Sequence, residues 1–259
     1  MSPADPGPAL RQCALHECAA IVSALSATVE PHASVHAARK AIRRLRALLA
    51  LLQDTPLDVA DADRRLQRLG DSLSDLRDAH VVVAAAVQLQ QQRAAAAWPD
   101  IIARLEQRRD RLLQQMLQRD PGFDRRIRTV LKVQAQLAAQ PWAALRRSTL
   151  RSNLERSRKR AKKAARRAAD DGNAKAIHRW RRRVRRLRMQ LEVTHALPLH
   201  RDDGRTAKQN GDARALHRLS NSLGQQQDLS LLRNLVRAMP AADGKAQVLT
   251  QLRAAQHAG

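Results

Sequence analysis

The chain has 259 residues, enough to bury a sizeable core as one large domain or two small ones. Its 48 Lys and Arg against 24 Asp and Glu leave a formal charge of +24, which calls for a polyanionic partner: nucleic acid, polyphosphate or an anionic surface. One Phe, three Trp and no Tyr cannot build the aromatic platform on which single-stranded nucleic acids stack, and this counts against that class of function.

Residues 1–7 form a Pro-rich tail with no apolar export signal, and no run of about 18 apolar residues occurs anywhere. A soluble, unexported, cytoplasmic chain with no membrane partner is expected. From Pro8 to Val29, the residues Leu10, Ala14, Cys18, Ile21, Leu25 and Val29 recur at helical spacing. Cys13 and Cys18 point to different sides of that helix, so no disulfide is expected between them. Pro31 then restarts the chain at a first-turn position.

The next stretch, VHAARKAIRRLRALLALL over residues 35–52, is amphipathic with one sign of charge. At about 100° per residue, His36, Arg39, Lys40 and Arg43 share a narrow face flanked by Arg44 and Arg46. Ile42, Leu45, Leu49 and Leu52 lie opposite. No Asp or Glu occurs from Val35 to Gln53, so no acid on the same helix neutralises the row. Like charges at this spacing cost a few tenths of a kcal/mol per pair. His32 and His36, four apart, have no third ligand nearby, and neither a metal nor a cofactor is expected.

A helix from about Leu57 buries Ala62, Leu66, Leu69, Leu73 and Leu76. Asp78 marks a cap or a kink, with Arg77–Asp78 as an ion pair at the junction, and Val82, Ala86 and Leu89 extend the apolar line. Pro99 and Asp100 begin a helix that reaches about Arg119, the DPG of residues 120–122 is a turn, and a further helix runs to about Ala139. Pro141 opens a second half with the most basic helix, in which Glu155 is the single acid from Trp142 to Ala169. Its only packing seam is Leu150, Leu154, Ala161, Ala165 and Ala168. Gly172 is a C-terminal stop and Asn173 the next N-cap. Residues 198–212 read as a polar loop, where His195, His200, Asp202 and Asp203 make only a weak cluster. Helices near 213–223, 228–238 and 243–257 close the chain. No stretch alternates as a strand does, so the fold class is all-α.

The basic face returns in IHRWRRRVRRLRMQLE from residue 177, where His178, Arg181, Arg182, Arg185, Arg186 and Arg188 repeat the first row at an offset of 178 − 36 = 142. Arg183 departs from it, lying nearer the apolar side. A looser repeat links LQRLGDSLSDLRDAHVV (66–82) with LHRLSNSLGQQQDLSLL (216–232), pairing Asp78 with Asp228. Two element types recurring in the same order predict an internally duplicated domain. A row of this kind offers charge-assisted donors to phosphate oxygens, with Arg presenting a planar fork.

On these residues the sequence resembles the CHAD domain family, whose signature is a His followed by Arg at i+3 and basic residues at i+7, i+8 and i+10, once in each half. The likeness spans residues 8–257, with halves at 8–139 and 141–257. It implies two pseudo-symmetric antiparallel helical bundles that bind inorganic polyphosphate and associate with polyphosphate granules. The binding residues it implies are His36, Arg39, Arg43, Arg44 and Arg46, then His178, Arg181, Arg185, Arg186 and Arg188. Lys40 and Arg182 join them on helix geometry, and Arg147, Arg151 and Arg158 extend the set along the basic helix. No Mg²⁺-holding acid set or phosphate-cradling Gly loop stands out, so binding without catalysis is expected. The alternatives are a sequence-nonspecific nucleic-acid binder and a polyphosphate-modifying enzyme.

Overall fold

The computed structural model describes residues 5–27, 30–195, 205–241 and 243–257, with the backbone alone over 205–213 and at 257. Among the described residues there are α-helices and short 3-10 turns and no strand, in line with the all-α reading. No helix there is long and apolar enough to cross a membrane.

Helix α1 (Pro6–Ser26) starts inside the stretch expected as a tail, with Pro6 and Gly7 buried and the Asp5 side chain accepting the Gly7 N–H at 3.0 Å. It buries the stripe Leu10, Ala14, Cys18, Ile21 and Leu25. Both cysteines are free thiols, and burial pushes Cys18 up to about 12. Helix α2 (Pro31–Leu49) carries Pro31 in its first turn, as its sequence predicts. Helices α3 (Ala60–Ser72) and α4 (Ser74–Gln92) are separated at Leu73 rather than at Asp78, which sits inside α4. The serine hydroxyls explain the shift: Ser72 donates to the Leu69 carbonyl at 2.8 Å and Ser74 to the Gly70 carbonyl at 3.3 Å, in competition with the helix ladder.

Helix α5 (Trp98–Arg119) ends in a 3-10 turn at Pro121–Phe123, where Gly122 has φ 60, and α6 (Asp124–Ala138) follows. A second 3-10 turn at Trp142–Ala144 leads to α7 (Arg147–Asp171) and α8 (Ala174–His195). Gly172 ends α7 at φ 59, and Asn173 caps α8 by accepting the Ala176 N–H at 2.8 Å. Helix α9 (Arg205–Ala238) is one element of 34 residues, and α10 (Lys245–His257) closes the chain. The polar loop predicted to reach residue 212 and the break near 224–227 are therefore corrected to helix. Residues such as Arg, Ala, Lys and Gln are good helix formers even where no apolar stripe announces them. His200, Asp202 and Asp203 lie outside the described residues.

Three clusters form the core. The first joins α1, α2, α3, α6 and the first turn of α4 with Trp142, Leu145 and Leu150. The second packs Val82, Ala86, Trp98, Ile101 and Leu105 of α4 and α5 against Leu232, Val236, Val248 and Leu252 of α9 and α10. The third ties Leu51 to Leu154 and Ala161 of α7 and to Leu187 and Leu191 of α8. Helices from the first and second stretches of the chain thus share cores, and α2 lies against α8 while α4 lies against α9.

Polar contacts fix that pairing where α2 ends. The last carbonyls of a helix have no partner within it. Asn153 donates to the carbonyls of Leu51 and Gln53 at 2.8 and 2.6 Å. Fully buried Gln190 of α8 donates to the Ala47 carbonyl at 3.0 Å. Gln190→Leu keeps the volume but strands that carbonyl, so urea denaturation should show a loss of about 1–3 kcal/mol. An unchanged midpoint would mean that this hydrogen bond does not hold α8 to α2.

Candidate functional site

Packing α2 on α8 sets the two basic rows against each other. The charges that weigh most on Arg43 are Arg185, Arg77, Arg39 and Arg181, drawn from α2, α4 and α8. Burial first, and then those neighbours, push the Arg43 guanidinium down to about 9. Burial followed by Arg181 and Arg77 pushes Arg185 down to about 10. Arg39 and Arg181 are also lowered, mainly by burial, and Arg181 is only 7% exposed. Arg39 is anchored at the α3–α4 break, where it donates to the Gly70 carbonyl and, at 2.8 Å, to Ser74 Oγ.

One half-buried carboxylate enters this space from α9. Asp228 of α9 lies 3.3 Å from Arg77 Nη1, which also holds Asp78 at 2.9 Å. Burial raises the Asp228 carboxyl even against the pull of Arg77 and Arg181. Among the described residues, the Nε atoms of Arg39, Arg43, Arg77 and Arg181, and Nη1 of Arg181, are buried without a hydrogen-bond partner. Buried donors normally find acceptors. Five guanidiniums facing two carboxylates, Asp78 and Asp228, are chemically suited to a ligand that brings several further anionic oxygens.

Histidines lie beside this space. His32 and His80 stack with ring centroids 6.1 Å apart, and His36 tilts against His80 at 6.2 Å. His32 Nε2 is 3.1 Å from Asp110 Oδ1 of α5. Burial is the first cause that lowers all three, followed by Arg109 for His32, Arg43 for His36 and the neighbouring His32 for His80. His178 is lowered by burial and then by Arg181 and Arg182, with an opposing hydrogen bond from Gln227. No group of three or more potential ligands among the described residues could hold a metal ion.

Other predicted site residues face elsewhere. Arg44 forms a two-pronged pair with Glu17 of α1 at 2.6 and 2.8 Å. Arg46 does the same with Asp63 of α3 at 2.7 and 3.2 Å and also reaches Gln67. The acids missing from the α2 sequence are therefore supplied by neighbouring helices, and both arginines are ion-paired within the bundle. Arg188 is held by Glu192 at 3.2 Å and by His217 Nδ1 at 2.7 Å, while Arg186 is half-buried beside Arg183, Arg46 and Asp63. Lys40 and Arg182 are exposed at the rim. On α7, Arg158 pairs with Glu155 at 2.5 Å, Arg151 is exposed and Arg147 is half-buried, and none of the three is among the charges that weigh most on Arg43 or Arg185. Arg77, His80 and Asp228 were not predicted as site residues. The loose sequence repeat that pairs Asp78 with Asp228 is a signal for Asp228 alone, since at the same offset Arg77 and His80 fall opposite Gln227 and Ser230.

Lowered histidines make folding pH-dependent. With each folded value below the unfolded one near 6.5, the unfolded chain binds more protons as pH falls through that value. Stability should therefore drop from about pH 7.5 to 5.5 and level off below the lowered folded values. A Tm series over this range should show the decline in the wild type and a shallower one in His80→Gln. Parallel curves would show that His80 does not titrate on unfolding.

The chain matches the CHAD domain family over residues 9–237. Among solved structures, it resembles the crystal structure of the CHAD domain from the plant Ricinus communis, with a TM-score of 0.72 and 23% identity over 99% of this chain and 88% of that one. It also resembles PptA from Streptomyces chartreusis, with a TM-score of 0.69 and 19% identity over 98% of this chain and 94% of that one. Comparison with curated proteins gives no match. A family match over most of the chain, carried on an all-α fold shared with a CHAD domain structure, makes this protein a member of the CHAD domain family.

Proposed function

We propose that the space where α2, α4, α8 and α9 meet binds inorganic polyphosphate and does not turn it over. The observation that carries this reading is the set of buried guanidinium N–H groups without acceptors on Arg39, Arg43, Arg77 and Arg181. Polyphosphate binding is a general property of the family to which the chain belongs. A phosphate chain presents anionic oxygens at close, regular intervals, and arginine forks from opposing helices meet them from two sides. Asp78 and Asp228, the carboxylates at the site, both face Arg77 and are poorly placed to hold Mg²⁺ for phosphoryl transfer. A cytoplasmic location, on polyphosphate granules where these form, follows from this reading.

The experiment is a paired measurement on Arg43→Gln/Arg185→Gln. Relieving two half-buried like charges should raise Tm, and polyphosphate affinity should fall at least about tenfold, or about 1.4 kcal/mol. Loss of affinity with loss of stability would indicate damage to the fold, and unchanged affinity would move the site elsewhere. With five converging arginines, the slope of log affinity against log salt should lie near −3.5, at about −0.7 per contact. Chain-length analysis after incubation with Mg²⁺ should show polyphosphate unchanged.

The histidines add a proton linkage. Bound phosphate reverses the cationic field around His36 and His178 and raises their lowered values, so the complex holds more protons than the free protein. Affinity should therefore rise as pH falls from about 8 to 6. His36→Gln/His178→Gln should flatten that profile, and identical profiles would remove the histidines from the linkage.

A further inference from the structure

The most basic helix plays no part in the site just described, and its outer face is a separate surface. On α7, Lys159, Arg160, Lys162, Lys163, Arg166 and Arg167 are all exposed. At about 100° per residue they span an arc of about 160°. Leu154, Ala161, Ala164 and Ala168 lie on the opposite side and are buried, and α8 is the principal packing partner of α7. No acid occurs from Arg156 to Ala169. The pairs Lys159–Lys163, Lys162–Arg166 and Lys163–Arg167 place like charges at i,i+4, an arrangement that weakens an isolated helix. Helix α8 adds exposed Arg179 and Arg182, and Arg183, which falls outside the repeated row, feels the charge of Arg160 most among its neighbours.

We propose that the outer face of α7, backed by Arg179, Arg182 and Arg183 of α8, is a second polyanion site that docks along the major groove of duplex DNA without reading its sequence. A helix about 10–12 Å across fits a B-form major groove about 12 Å wide, where a phosphate row flanks each side. An arc this broad meets both rows, whereas a single phosphate strand needs only a narrow row. No apolar side chain interrupts the arc from Arg156 to Arg167, so the face lacks what an interfacial helix uses to enter a lipid surface. The closed major groove of A-form RNA does not admit a helix in this way. Contacts of Lys and Arg with phosphate supply affinity through counterion release and carry no sequence information.

The test uses the full chain with Lys159, Lys163, Arg166 and Arg167 replaced by Gln, exposed positions where the substitution removes repulsion within the helix. Binding of a duplex DNA of about twenty base pairs should weaken at least about thirtyfold at 0.1 M salt, and the salt slope should shrink by about 3 to 4. Short polyphosphate, too short to bridge two sites, should lose less than about threefold. Arg43→Gln/Arg185→Gln should show the reverse pattern, so failure of the polyphosphate reading and failure of this one are told apart. Wild type should also prefer duplex DNA to duplex RNA of equal length by at least about tenfold. The proposal is overturned if the α7 variant binds DNA normally or loses DNA and polyphosphate together. It is equally overturned if duplex RNA binds as well as DNA, or if α7 is needed for acidic phospholipid vesicles but not for DNA.

Discussion

The packing of α2 on α8, which brings the charges of Arg43 and Arg185 within each other's field, is the constraint around which the rest of the molecule is arranged. Two helices that repel each other at this point are nevertheless packed together, with Arg181 beside them almost fully buried. Like charges brought this close in a low-dielectric interior oppose folding, and the groups respond by shifting toward the neutral form. The cohesion comes from elsewhere: Leu187 and Leu191 against Leu51, Gln190 on the Ala47 carbonyl, and the α4–α9 contact with its own apolar cluster. It is on this strained, converging set of donors that the proposed polyphosphate binding rests.

The surrounding arginines sort by what lies opposite them. Arg44 and Arg46 point to α1 and α3, where Glu17 and Asp63 meet each in two-pronged geometry, and they hold α2 in its bundle. Arg39 and Arg43, on the same helix, find no such carboxylate and look instead toward α4 and α8. Arg77 sits between the two groups, paired with Asp78 and Asp228 yet retaining a buried Nε without an acceptor. One amphipathic helix therefore carries ion-paired arginines beside arginines with unpartnered donors, and the neighbouring helix decides which each position becomes.

That division limits what was legible in the sequence. The apolar stripe of α1, the Pro31 start of α2, the Gly172 stop and the Asn173 cap depend on local chemistry and could be read directly. So could the basic faces of α2 and α8. The partners of Arg44 and Arg46 could not, because Glu17 and Asp63 come from other helices and leave no periodic trace. The Leu73 break was misplaced at Asp78, since the Ser72 and Ser74 hydroxyls that make it resemble ordinary polar positions. The continuous course of α9 was hidden because its polar start has helix propensity but no apolar stripe to display it.

Arg183 makes the same point for the wider cationic surface. It breaks the repeated row because it faces α7, where Arg160 is its neighbour, rather than α2 and α4. The charge of +24 is thus spread over a buried convergence, a set of structural ion pairs and an exposed helical face, each with different chemistry.

The most direct test of the central claim is a crystal structure with a polyphosphate chain bound. The account predicts phosphate oxygens within about 3 Å of guanidinium nitrogens of Arg43, Arg77 and Arg181, on a chain that passes between α2 and α8. A chain lying along α7 or along Arg44 and Arg46, with Arg43 and Arg185 untouched, would contradict it.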